Sequence, residues 1–344
     1  MTRPTGELPG LRLEPTTAWL AENLGLTGPL DARLAAGGRS NLTYRLTDST
    51  GRQVALRRPP QSHVLETAHD MRREWKVLNA VSGTGVPVPR PLALCQDESV
   101  TGADFYVMEW VDGIVPADDQ SAGQLSEDAR RRLTDQLADV LAALHALDPL
   151  EIGLVDWQRP GDFLQRQLKR WQRQIHASRS THLDLADRVH GELVRLAPAG
   201  VEPRIVHGDF RAGNVLVGPD GVIRAVLDWE LATLGHPLAD LGWMLASWSR
   251  PGDGRPPATG TPSMLPGFGE REDLLQRYAA ASGRDLSALP LYEAFARWRS
   301  ACISAGVRAR YLAGAMGDDS YDVSDLDEAL GRQLDVAAEL VAKL

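Results

Sequence analysis

His207, Asp209 and Asn214 lie within one short stretch, 205–217, and Asp228 follows at Val226-Leu227-Asp228-Trp229. Apolar residues flank both polar clusters, and Pro219-Asp220-Gly221 places a turn between them. That pattern predicts a loop running into a short hairpin whose strands carry polar residues at their ends. Such a hairpin brings Asp209, Asn214 and Asp228 together. Two carboxylates about 5 Å apart repel by roughly 3 kcal/mol at an effective dielectric near 20. A divalent cation next to Asn214 and Asp228 removes that repulsion, and oxygen-only ligands suit magnesium. Asp209 is then left to accept a proton from a hydroxyl. These are the groups a phosphoryl-transfer site requires.

His207, Asp209 and Asn214 keep the spacing of the kinase catalytic loop, with Gly208 where kinases carry Arg. Asp228 stands where a kinase has its metal-binding Asp, followed by Trp229 rather than Phe. With Pro237-Leu238-Ala239-Asp240-Leu241-Gly242 downstream, the chain resembles the aminoglycoside phosphotransferase family. Within that family it is most similar to kinase-like domains related to those fused to acyl-CoA dehydrogenases. The resemblance runs from about Leu34 to the C-terminus and is most specific in the catalytic stretch.

The resemblance implies an α+β, bilobal, protein-kinase-like fold. A small antiparallel-sheet lobe is expected over residues 1–112 and a larger, mainly helical lobe over 113–344. ATP, or GTP, with Mg2+ is the implied phosphate donor, and a hydroxyl of a small molecule the acceptor. Asp209 is the expected base, Asn214 and Asp228 the metal ligands, and His207 and Asp240 supports for the catalytic loop.

The elements that position the donor come earlier. Gly37-Gly38-Arg39-Ser40-Asn41 opens a strand-turn-strand over 42–57, as the glycine loop of kinases covers ATP phosphates, which makes Gly38, Ser40 and Asn41 candidate phosphate contacts. Arg57 ends the second strand where the resemblance places a phosphate-gripping lysine. Arginine keeps the charge and offers a bidentate fork, but is bulkier than lysine. Arg58 points to the opposite face of the strand. A helix is expected over 66–81, with Met71, Trp75 and Leu78 on one face and Glu74 beside it, placed to pair with Arg57. The segment from Met108 to Val111, with Glu109 and Val111, is expected to meet the adenine through its backbone, an assignment that rests on resemblance alone.

Helices are further expected over about 125–147, 162–176, 182–196, 271–282, 291–312 and 323–342. The Arg- and Gln-rich pair over 162–196 has two readings: a solvated outer face, or cations for an anionic substrate group such as the phosphates of a coenzyme A thioester. The Pro/Gly-rich run 249–269 reads as a functional lid or a disordered excursion. Asp318, Asp319, Asp322, Asp325, Asp327 and Glu328 form an acidic run near the last helix. It suits either the helix dipole or the cationic antibiotics that aminoglycoside kinases bind.

The 344 residues suffice for two cores, and 43% hydrophobic with 24% charged residues describes an ordinary globular protein. A net charge of −9 argues against broad nucleic-acid or anionic-membrane binding and requires a nucleotide site to supply its own cations. With no secretion signal or membrane span in the sequence, and Cys95 and Cys302 outside any metal or redox spacing, a cytoplasmic location with reduced thiols is expected. Two rivals remain: a degenerate kinase fold that binds without turnover, and a metal phosphoesterase built on His207, Asp209 and His236.

Overall fold

Alternation of apolar and polar residues early in the chain produces strands, and 3.6-residue periodicity later produces helices. In the computed structural model, residues 8–36, 41–60, 70–157, 162–198, 200, 203–253, 256–314 and 323–344 are described. The chain divides into two units, one of Met1–Asp112 with Arg224–Glu230, the other of Gly113–Ile223 with Leu231–Leu344.

The first unit contains α1 (Leu13–Leu24), β1 (Asp31–Ala36), β2 (Leu42–Thr47), β3 (Gln53–Arg58), α2 (Met71–Val81), β4 (Pro91–Cys95), α3 (Glu98–Thr101) and β5 (Phe105–Glu109). The strands form one antiparallel sheet in the order β1-β2-β3-β5-β4. Tyr44, Leu46, Val54, Leu56, Phe105 and Val107 are buried in one cluster with Leu20 of α1. Each such side chain contributes about 1.5–3 kcal/mol of burial. The period of two sends Arg57, opposite Thr43 and Tyr106, away from Leu56 and Arg58. Arg58 instead donates to the carbonyls of Gly10 and Thr101.

Helix α2 begins at Met71, later than the expected 66, because the Asp70 carboxylate caps it by accepting from the Arg72 and Arg73 N–H groups. Residues 61–69 lie outside the described residues. The buried face of α2 carries Met71, Glu74, Val77, Leu78 and Val81, so Glu74 points inward while Trp75 is only half-buried.

The second unit contains α4 (Asp119–Ala122), α5 (Glu127–Ala146), α6 (Phe163–Ala177), α7 (Leu183–Leu196), β6 (Arg204–Val206), β7 (Val215–Val217), β9 (Thr233–Gly235) and the helices beyond it, while β8 (Ile223–Val226) has Ile223 in this unit and the rest in the first. Those later helices are α8 (Leu238–Ala246), α9 (Arg271–Ser282), α10 (Leu289–Leu312) and α11 (Val323–Val341). β6 and β9 pair antiparallel, Ile205 opposite Leu234, which holds the loop after Val206 against the start of α8. Helix α10 is buried along most of its first half and packs on α8, α6 and α11.

Where it is described, the Pro/Gly-rich run is an ordered, hydrogen-bonded segment and not a disordered excursion. It carries no helix or strand, yet its backbone is tied down: Ala258 N–H donates to Ala246 O at 2.7 Å, and Trp248 Nε1 to Gly269 O at 3.1 Å. Ser300 and Gln333 donate to the carbonyls of Ala258 and Pro257. Side chains of α10 and α11 thus satisfy polar groups that secondary structure would otherwise pair. Among the described residues no helix is long and apolar enough to cross a membrane. Cys95 and Cys302 are free and buried.

Candidate active site

In the first unit, Arg57 lies between two carboxylates. Its Nε is 2.9 Å from Glu74 Oε1, and its terminal nitrogen is 2.5 Å from Asp228 Oδ1. Asn41 Nδ2 donates to both Glu74 Oε2 and Glu230 Oε2, each at 3.3 Å. Burial alone pulls the Arg57 pKa down, but Glu74, Tyr106 and Asp228 outweigh it and hold the guanidinium charged. The same setting, burial first and then Glu74, pushes the Tyr106 hydroxyl well up. Asp228 has φ 64°, and among the described residues only Arg179 shares a positive φ without being glycine. A left-handed side-chain-bearing residue costs about 1–3 kcal/mol and concentrates at functional positions.

In the second unit, β6 delivers His207, Gly208 and Asp209 to a loop whose backbone Asp240 holds. The Asp240 carboxylate is 1% exposed and accepts from His207 N–H at 2.5 Å and Gly208 N–H at 2.8 Å. It also lies 3.4 Å from His145 Nε2, while His145 Nδ1 is 2.7 Å from the Tyr278 hydroxyl. Burial lowers the His145 pKa. The neutral ring then donates from Nε2 to Asp240 and accepts at Nδ1 from Tyr278, an assignment made from the network. His207 Nδ1 accepts from Asp209 N–H at 3.2 Å. Gly208 has φ 84°, and a Cβ there would stand 2.6 Å from Leu231 O, so the kinase arginine has no room at this position.

The Asp209 carboxylate itself is fixed at both oxygens. Trp243 Nε1 donates to Oδ1 at 2.6 Å, and Asn214 Nδ2 donates to Oδ2 at 2.8 Å. Arg211 Nε lies 3.6 Å from Oδ1. Because Asn214 uses its nitrogen on Asp209, its carbonyl oxygen is the atom suited to a hard cation. Among the described residues no three His, Cys, Asp or Glu side chains are arranged to hold a metal by themselves. By donor chemistry the side-chain oxygens of Asn214 in one unit and of Asp228 in the other each suit Mg2+, which takes few protein ligands.

Glu109 ends β5 exposed, 3.5 Å from Arg90, and Val111 is half-buried beyond it. Gly38 and Ser40 lie outside the described residues, as do Asp318, Asp319 and Asp322. Asp327 is engaged within the second unit by Arg308 at 3.2 Å. Sequence reasoning gives Trp243, Tyr106 and Arg299 no role; Trp243 directly follows the 237–242 motif, its one available signal. His236, proposed for the phosphoesterase, stacks on Tyr292 with centroids 4.4 Å apart and accepts Leu238 N–H at Nδ1. Burial, then Arg284 and His145, lower its pKa to about 4. A histidine depressed in this way adds stability above the unfolded pKa of about 6.5, lost as pH falls toward the folded value. Thermal melts are therefore expected to drop between about pH 6.5 and 4, with a shallower drop in His236→Asn.

A small antiparallel sheet, a helical remainder and a His-Gly-Asp loop with Asn five residues beyond the Asp define a kinase-like phosphotransferase fold. The chain belongs to the phosphotransferase enzyme (APH) family, whose model matches residues 31–292. It is 31% identical to acyl-CoA dehydrogenase family member 10 of Mus musculus over 91% of this chain and 30% of that protein. The chain spans about a third of the length of the curated relatives it matches. A crystal structure from Ralstonia eutropha, named as a candidate aminoglycoside phosphotransferase, superposes with TM-score 0.81 at 32% identity, covering 96% of this chain and 98% of that one. The streptomycin-ATP complex of APH(2")-IIa shares the fold alone, with TM-score 0.59 and 16% identity over 93% of this chain and 96% of that one.

Proposed function

We propose that this protein transfers the γ-phosphate of ATP, with GTP as an alternative donor, to the hydroxyl of a small molecule in a Mg2+-dependent reaction. The acceptor class is a hydroxyacyl thioester-like metabolite or an aminoglycoside-type alcohol. The observation that carries the reading is the Asp209 carboxylate, oriented by Trp243 and Asn214 on a loop braced by Asp240. Neighbours in the same fold crystallised with ATP, ADP or GDP support nucleotide binding.

In this reading Asp209 takes the acceptor proton as the new O–P bond forms and the bond from the γ-phosphorus to the bridging oxygen breaks, releasing the nucleoside diphosphate. Asn214 and Asp228 would hold Mg2+, which supplies charge neutralisation on the phosphates. Arg57, fixed by Glu74, grips the phosphates, and Asn41 belongs to the loop above them. The gain comes mainly from alignment and electrostatics, since the transition state is loose.

A mass-spectrometric screen of a metabolite extract with the full chain and MgATP tests it. An ATP-dependent gain of phosphate on one compound is the expected result; no product and no ATP consumption would leave the non-catalytic nucleotide binder. That second reading draws on Arg57 occupying Asp228 Oδ1. Arg57→Ala is expected to weaken nucleotide binding by about 10–100-fold in calorimetry, the loss of one or two charge-assisted contacts. Undiminished affinity would remove Arg57 from the phosphate site.

A further inference from the structure

Within the second unit a cavity lies against the catalytic loop, lined among others by Phe163, Arg170, Trp171, Phe295, Arg299 and Asp240, whose carboxylate is already engaged by the His207 and Gly208 N–H groups. Arg299 is only 8% exposed. Its guanidinium carbon sits 4.3 Å from the Trp243 ring centroid and 5.3 Å from that of Trp171. Its Nε is buried without a hydrogen-bond partner, and no hydrogen bond or ion pair is made by its guanidinium among the described residues. Arg297, two positions earlier on α10, is different: it donates to Pro256 O and Gln333 Oε1.

Burial lowers the Arg299 pKa against the pull of Asp209 and Asp240, neither of which is within ion-pair distance. A desolvated cation without a partner is costly, and aromatic faces compensate only part of the lost hydration. A planar fork of donors at a cavity wall is suited to bind carboxylate or phosphate. Arg170 adds a second cation to the same wall, its guanidinium carbon 5.1 Å from the Trp171 centroid. Trp243, whose face carries Arg299, donates its indole N–H to Asp209. Arg299 thus meets the face of this indole and Asp209 its N–H edge, so an anion at one and a hydroxyl at the other would both adjoin Trp243.

We infer that this cavity receives the negatively charged group, carboxylate or phosphate, of a hydroxylated acceptor and disfavours polycationic aminoglycosides. The inference deepens the phosphotransfer reading and rests on it for the role of Asp209. Phe163, Trp171 and Phe295 supply apolar wall beside the two arginines, for the carbon next to the anionic group.

The test is calorimetric titration of the full chain with ω-hydroxyhexanoate, its methyl ester, ω-hydroxyhexyl phosphate and kanamycin, followed by MgATP and mass spectrometry. At least one anionic probe is expected to bind, with the ester at least about tenfold weaker. Arg299→Met, which keeps apolar volume between the two tryptophans, is expected to erase that preference. The exposed Arg170→Ala, whose fold is at less risk, is expected to weaken anion binding by about 3–10-fold. Equal binding of acid and ester, no binding of either anion, an unchanged preference in Arg299→Met, or phosphorylation of kanamycin would each overturn the inference. Anion binding with no transfer to any probe would overturn the phosphotransfer reading instead, leaving the anion site in place.

Discussion

Asp209→Ala is expected to lower phosphate transfer by about 10²–10⁴-fold while nucleotide affinity stays close to that of the parent protein. The carboxylate oxygens are held by Trp243 Nε1 and Asn214 Nδ2, which fix the orientation of the side chain. In the proposed reaction alanine removes both the proton acceptor and the point that aims it. A loose transition state places less demand on proton transfer than on alignment, yet both depend on this one group. The indole N–H of Trp243 also loses its acceptor, for about 1–3 kcal/mol of stability. Steady-state kinetics beside a nucleotide titration and a urea melt separate these effects. Turnover within about threefold of the parent, with the fold intact, would remove Asp209 from the chemistry.

Asp240→Ala is expected to have the largest effect on stability, about 3–5 kcal/mol, a sizeable share of the 5–15 kcal/mol of a typical domain. The carboxylate is buried and accepts from two consecutive backbone N–H groups, and His145 links it to Tyr278. Removing it orphans all of those donors at once. Burial alone raises its pKa, but His145, His207 and the Gly208 N–H outweigh that and hold it below the usual carboxylate range. A lowered carboxylate contributes stability above its unfolded pKa, about 4, and loses it as pH falls through the folded value. The difference between parent and variant in urea melts is therefore expected to be full near neutrality and to shrink below about pH 4. A variant within about 0.5 kcal/mol of the parent at neutral pH would show that the loop stands without its brace.

Most helices were legible because their apolar residues recur at helical spacing. Leu133, Leu137, Leu141 and Leu144 on α5 are all buried. Strands β2 and β3 were legible from alternation, whereas the small antiparallel sheet with a helical remainder followed from the family resemblance. The start of α2 was misplaced because a capping carboxylate, Asp70, decides it, and helical periodicity does not register caps. The order of the run 249–269 was not legible because its backbone partners include α10 and α11, which no local pattern announces.

By itself the sequence determined the residue types and spacing of the catalytic loop and the alternation that separates Arg57 from Arg58. Spacing within one loop or strand is a property of backbone geometry, so it survives without knowledge of the fold. Only tertiary structure decided that Arg57 meets Asp228, 171 positions away, that Trp243 orients Asp209, and that Arg299 stands at a cavity wall with no hydrogen-bond partner among the described residues. Those facts depend on which faces of distant elements pack together. Packing is set by the summed burial of many side chains, none of which encodes the contact alone.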